Sequence, residues 1–182
     1  ALPSRPQPQR RLERVLHFLH AVLRRSSYIA LLDESAPARE RLLDTFVAST
    51  WMAERLSAHP LLLDDLLDTR SQGAPESLQA IAVELDQALI EVPRDDIERL
   101  LPALNEFRQS VAFRIARATL FGGQAAGDSA RQLAWLAEVI VGLLLERAEA
   151  EVIVAHGRLP DSGLALLGFG SFGALELGFN SD

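Results

Sequence analysis

The sequence contains no cysteine and no lysine, and only one methionine, one tyrosine and two tryptophans in 182 residues. Without cysteine there are no disulfides and no thiolate metal ligands. Without lysine no ammonium group is available for phosphate binding or Schiff-base chemistry. All 18 basic residues are arginine, a bias that a GC-rich genome explains. Long hydrophobic runs are missing too. Val139 to Leu145 spans seven residues, against the roughly 20 that a membrane helix requires. No charged segment followed by an apolar one opens the chain, so the expectation is a soluble, cytoplasmic protein without a membrane partner. Positive charge is also in deficit. A net charge of −7 excludes a general nucleic-acid binder, because phosphate neutralisation needs a basic surface.

What is present is helical periodicity. The composition is 48% hydrophobic and 24% charged, enough for a core in one domain or slightly more. Residues 1–9, "ALPSRPQPQ", carry three prolines and read as a linker. From Arg10, the positions Leu12, Val15, Leu16, Leu19 and Val22 predict an amphipathic helix. A short helix ending near Asp33 follows, then one over Ala38–Ser49 with Leu42, Leu43, Phe46 and Val47 inward, then one over Thr50–His59. Pro60 suits the first turn of the next.

Beyond the loop "TRSQGAP", Pro75 is expected to open a helix with the stripe Leu78, Ile81, Leu85 and Leu89. After Asp95-Asp96 a long segment reaches Phe121, with Leu104, Phe107, Val111, Ile115 and Ala118 inward. Pro102 inside it predicts a kink or a split. Ser129 with Gln132 has the form of a capping box. The helix that follows, through Leu133, Leu136, Ile140 and Leu143, should end near Ala155 with Gly157 as its C-cap. A helical region over 10–157 results.

Most clusters of polar residues read as ordinary helix surface. His17 and His20 have a spacing compatible with metal binding, but no Cys or third His lies on that helix, so they are read as flanking a packed face. Arg108, Arg114 and Arg117 could face a phosphate or a carboxylate, or form an ion-paired face. Asp64, Asp65 and Asp68 read as a solvated face. The four histidines come with no nucleophile elbow.

The end of the chain differs. Leu164 to Leu167 predicts a buried strand bounded by glycines. It leads into "GFGSFGALELGFNSD", where Gly170-Ser171 could let amides and a hydroxyl approach phosphate oxygens. Asp182 follows twelve residues after Gly170, and a carboxylate is an oxygen ligand suited to Mg²⁺.

A hydrophobic strand, Gly-Ser, about ten residues and Asp resembles the signature of the nucleotidyltransferase superfamily. The ordered words "RRSSYIALLDE", "HPLLLDDLLD", "LNEFRQSVAFRIA", "VAHGRLP" and the glycine segment resemble the bifunctional glutamine synthetase adenylyltransferase family over Arg24 to Asp182. That resemblance implies a mainly α fold: a multi-helix array, then the first strand and glycine turn of a truncated α/β palm over 158–182. It implies the half of the enzyme that attaches AMP from ATP to a tyrosine of glutamine synthetase. The alternatives are the half that removes AMP and a non-catalytic helical module for docking glutamine synthetase or a PII-type signalling protein. On this reading Gly170 and Ser171 carry the ATP triphosphate. Asp182 is the first ligand of two bridging Mg²⁺ ions, and the second aspartate would come two residues later. The family usually has Lys at the position of Ser171 and Gly at that of Ala174. The chain as it stands is expected to be inactive alone.

Overall fold

A computed structural model describes residues 8–23, 26–67, 73–93, 96–158 and 163–181. It divides into two compact units, Ala1–Gln72 and Gly73–Asp182. Mainly α is the outcome: among the described residues there are helices and no strands.

The described part of the first unit holds α1 (Pro8–Val22), α2 (Ser26–Glu34), α3 (Ala36–Ala48), α4 (Thr50–Ala58) and α5 (Leu62–Leu67). Helix α1 packs on α3 and α4, and α3 also meets α2 and α5. Phe18 of α1 meets Phe46 of α3 edge-to-face, with centroids 5.5 Å apart, a favourable arrangement of the ring quadrupoles. Ser49 both ends α3 and starts α4. Its N–H donates to the Thr45 carbonyl at 3.0 Å and its hydroxyl accepts from the Met52 N–H at 3.2 Å. One residue therefore satisfies donors and acceptors that two helix ends would leave open.

Two stripes differ from expectation. Among the described side chains of α1, Phe18 and Val22 are buried, while Leu12 and Leu16 are exposed. Arg14 shares the Phe18 and Val22 face and donates to the Phe46 carbonyl and to Thr50 Oγ1. The helix is thus turned to bring an aromatic ring and a donor inward, and Leu12 and Leu16 go outward. On α3 Leu42 and Phe46 are buried, but Leu43 and Val47 are exposed, because one helix face covers only a third or so of the turn.

The second unit holds α6 (Leu78–Ala88), α7 (Ile97–Phe121), α8 (Ala126–His156) and the single-turn α9 (Gly170–Gly173). Helices α7 and α8 form a hairpin, and α6 packs on both. Leu85, Leu100 and Leu104 make a buried cluster, against which Phe107, Val139, Leu143 and Leu144 pack. Helix α7 runs unbroken through Pro102. The proline lies early in the helix, where it removes only the bond to the Glu98 carbonyl, and the split does not occur. Gly157 ends α8 with φ +80°, as its C-cap role requires.

Ser129 and Gln132 do not form a capping box. Helix α8 starts three residues earlier, at Ala126, with no side-chain cap. Both residues are instead buried. Ser129 Oγ lies 2.6 Å from Thr119 Oγ1 of α7. Gln124 Nε2 donates to Ser129 Oγ at 2.9 Å and to Gln132 Oε1 at 2.7 Å. Gln132 Nε2 donates to the Pro75 carbonyl at 2.8 Å. Pro75 is correspondingly buried ahead of α6, whose cap is Ser77. The side chains that looked like a helix start tie the α7–α8 turn to the loop before α6.

The strand expected at Leu164–Leu167 is not formed. Residues 163–169 are neither helix nor strand, and Leu164, Leu166 and Leu167 are exposed. A strand exists only by pairing its backbone groups, and no partner strand is present among the described residues.

Replacing Leu136, which is 3% exposed, by Ala should destabilise the protein by about 2–5 kcal/mol. Ile140→Ala should cost distinctly less, because Ile140 is only half-buried. Chemical denaturation of both variants checks the order, and equal losses would contradict the packing of α8.

Candidate functional site

The glycine-rich segment folds as a tight turn. Phe169 precedes the single helical turn, and no side chain caps it. Its first backbone bond runs from the Gly173 N–H to the Phe169 carbonyl at 3.3 Å. The N–H groups of Gly170, Ser171 and Phe172 come before that bond and belong to the set a helix start leaves without internal partners. Ala174 N–H donates to Gly170 at 2.9 Å and Glu176 N–H to Ser171 at 2.7 Å, closing the turn.

Two glycines are there for geometric reasons. Gly170 has φ +60°, a conformation other residues resist. Gly173 faces the Gly168 carbonyl so closely that a Cβ would sit 2.9 Å from its carbon and closer still to its oxygen. Leu175 then takes φ 58°, unusual for a residue with a side chain, and the chain turns away. Before the end, the Gly178 N–H donates to Ser181 Oγ at 3.1 Å and the Ser181 N–H donates back to the Gly178 carbonyl at 3.1 Å. Asp182 lies outside the described residues.

Beside the turn is a cavity of about 320 Å³. Helix α8 contributes Glu138, Val141, Gly142 and Leu145; the terminal segment contributes Leu166, Gly168, Phe172, Gly173 and Leu175. Gly170 and Ser171, singled out in the sequence, belong to the turn and not to the cavity wall, and the α8 wall was missed. The one available signal was Gly142, a glycine inside an otherwise good helix.

The other candidates do not converge on this site. Arg114 is buried in an ion pair with Glu84 and donates to the Gly73 carbonyl at 3.3 Å. Arg108 is exposed and donates to Asn105 Oδ1, and Arg117 is half-buried. They serve the helical body in three different settings. Tyr28 donates its hydroxyl to Asp64 Oδ2 at 3.0 Å. Asp65 is half-buried, and Asp68 lies outside the described residues. His17 and His20 are exposed, and no group of three or more His, Cys, Asp or Glu able to hold a metal occurs among the described residues. No described helix is long and apolar enough to cross a membrane.

The chain is therefore of the α-helical class, with one glycine turn set against its longest helix. Residues 39–182 match the family model described as glutamate-ammonia ligase adenylyltransferase, and the chain belongs to that family. Among curated relatives it is 50% identical over 177 residues to a protein of Stenotrophomonas maltophilia (strain R551-3), covering 97% of this chain and 19% of the relative. It is likewise 50% identical to one of Xanthomonas campestris pv. campestris (strain ATCC 33913), covering 97% and 18%. A protein of Thioalkalivibrio sulfidiphilus is 37% identical over 183 residues, covering 96% and 19%. All three bear the name bifunctional glutamine synthetase adenylyltransferase/adenylyl-removing enzyme. The chain spans about a fifth of the length of these curated relatives.

Gly173→Ala should open the turn, since backbone on both sides of the contact must move. Amide exchange at Ala174 and Glu176, whose N–H groups close the turn, should quicken by tenfold or more. Gly142→Ala should leave those amides alone and stabilise α8 by about 0.5–1 kcal/mol, because a Cβ there meets nothing within 4 Å. Unchanged exchange in Gly173→Ala would contradict the tight approach of Gly168.

Proposed function

We propose that this chain is part of an enzyme that transfers AMP from ATP to a tyrosine of glutamine synthetase, and that it comes from the adenylylating half. The observation that carries the proposal is the uncapped glycine turn at Gly168–Gly173, within a chain matched to relatives of that name over 97% of its residues. The words "RRSSYIALLDE" and "HPLLLDDLLD" favour this half over the one that removes AMP.

In this reading the ATP triphosphate lies on the turn, with its oxygens accepting from the amides of Gly170, Ser171 and Phe172. Such amides are oriented before the ligand arrives, so they need no rearrangement to meet its charge. The absence of a β-carbon at Gly170 and Gly173 leaves the backbone open to close approach. Ser171 offers a hydroxyl where the family usually offers a lysine. Phosphate binding here therefore rests more on main-chain dipoles than on a fixed positive charge.

Asp182 is the proposed Mg²⁺ ligand, two residues ahead of the position where the family resemblance puts a second aspartate. Neither the turn nor the neighbouring cleft contains a donor set for the ion, whose natural ligands are carboxylate and other oxygens. When bound, Mg²⁺ supplies charge neutralisation at the reacting phosphate. The helical units would serve contacts with glutamine synthetase and with a PII-type signalling protein.

The test is radiolabelled AMP transfer from ATP to glutamine synthetase, using a longer form of the protein that carries the next acidic residue. Asp182→Asn should lower transfer by a factor of ~10³ or more, because a charged ligand is lost with almost no change in size. Ser171→Ala should lower it less than tenfold, since the amides remain. Near-normal transfer by a folded Asp182→Asn protein would overturn the metal assignment.

A further inference from the structure

We infer that the cleft between α8 and the glycine turn binds a purine base bearing an exocyclic amino group, namely the adenine ring of the proposed nucleotide substrate. The inference rests on the reading of the turn as a nucleotide site and extends it to the base, which that reading leaves without a place. The cleft measures about 320 Å³, at the small end of the roughly 300–1,000 Å³ typical of ligand sites. That suits a nucleoside and not a folded peptide.

Its walls are chemically uneven in a useful way. Val141, Leu145 and Phe172 offer apolar and aromatic surface, and Phe172 can stack on a flat ring. Between them α8 is bare. Gly142 is exposed, and a Cβ there would meet no atom within 4 Å. Packing therefore does not require glycine, although glycine is among the poorest residues for a helix interior. A planar ligand lying against the backbone does require it. The one charged side chain on the walls is Glu138, one turn before Gly142. A carboxylate only accepts hydrogen bonds, so it favours a ring with an amino group and disfavours one with a carbonyl at the same place. Adenine has the amino group; hypoxanthine and guanine have the carbonyl. Gly168, Phe172 and Gly173 belong both to the cleft wall and to the turn, so base and phosphates of one nucleotide can be held by contiguous residues.

Ligand-observed NMR titration of the 182-residue chain with adenosine and with inosine tests this directly. Adenosine should bind saturably and at least tenfold more tightly than inosine. Glu138→Gln, whose amide both accepts and donates, should erase that preference. Gly142→Val should abolish adenosine binding while helix content by circular dichroism stays unchanged. Equal binding of the two nucleosides, no adenosine binding, or an undiminished preference in Glu138→Gln would overturn the inference. Its failure is separable from that of the nucleotide reading. Asp182-dependent AMP transfer together with equal binding of adenosine and inosine removes only the adenine site. Selective adenosine binding together with transfer that ignores Asp182 supports the cleft and removes the metal assignment.

Discussion

Arg114 is the residue on which the second unit depends. Its side chain is only 6% exposed, and a guanidinium cannot shed its charge when taken out of water. Leaving such a group without a counter-charge costs several kcal/mol, so the fold must bring it an acceptor. Glu84 of α6 supplies the carboxylate and Gly73 a carbonyl. That requirement fixes α6 against α7 and pins the chain just ahead of α6. Gln132 then ties α8 to the same loop through Pro75. Each of the three helices is located by a buried polar group that admits few alternatives, whereas apolar contacts alone would tolerate sliding.

Helix α8 is consequently buried most fully near its start, and its middle turns divide between core packing and the cleft wall. Ser129 to Leu136 include its buried residues, and beyond them burial is partial. Val139, Leu143 and Leu144 face the cluster around Leu85. Glu138, Gly142 and Leu145, spaced by four and three residues on another face, line the cleft. One helical period places core packing and the cleft wall on different sides of the same rod. Exposed Val152 and Val154 show that the last turns of α8 contribute little to the core.

The helices were legible because their signals are local. Spacing of Ile81, Leu85, Leu104, Val111 and Ile115 gave faces that are buried in the structure, and Asp96 and Gly157 marked ends by their own chemistry. Failures came where a distant partner decides the outcome. Ser129 and Gln132 satisfy a helix-start pattern, yet their partners are Thr119 and Pro75. Leu12 and Leu16 fit a periodic stripe that the Phe18–Phe46 contact and Arg14 turn outward. Leu164–Leu167 has the composition of a strand, but pairing is a tertiary event. Within the candidate site, Gly170 and Ser171 announced themselves through a short motif. Glu138 and Gly142 did not, since a cleft wall formed by residues about thirty positions away carries no motif.

Whether main-chain amides of the glycine turn hold the nucleotide's phosphates, as proposed, is tested most directly by a structure of the longer protein with Mg²⁺ and a non-hydrolysable ATP analogue. Phosphate oxygens should lie within about 2.7–3.2 Å of the Gly170, Ser171 and Phe172 nitrogens, with the purine against Gly142. A well-ordered nucleotide bound elsewhere, with this turn empty, would contradict it.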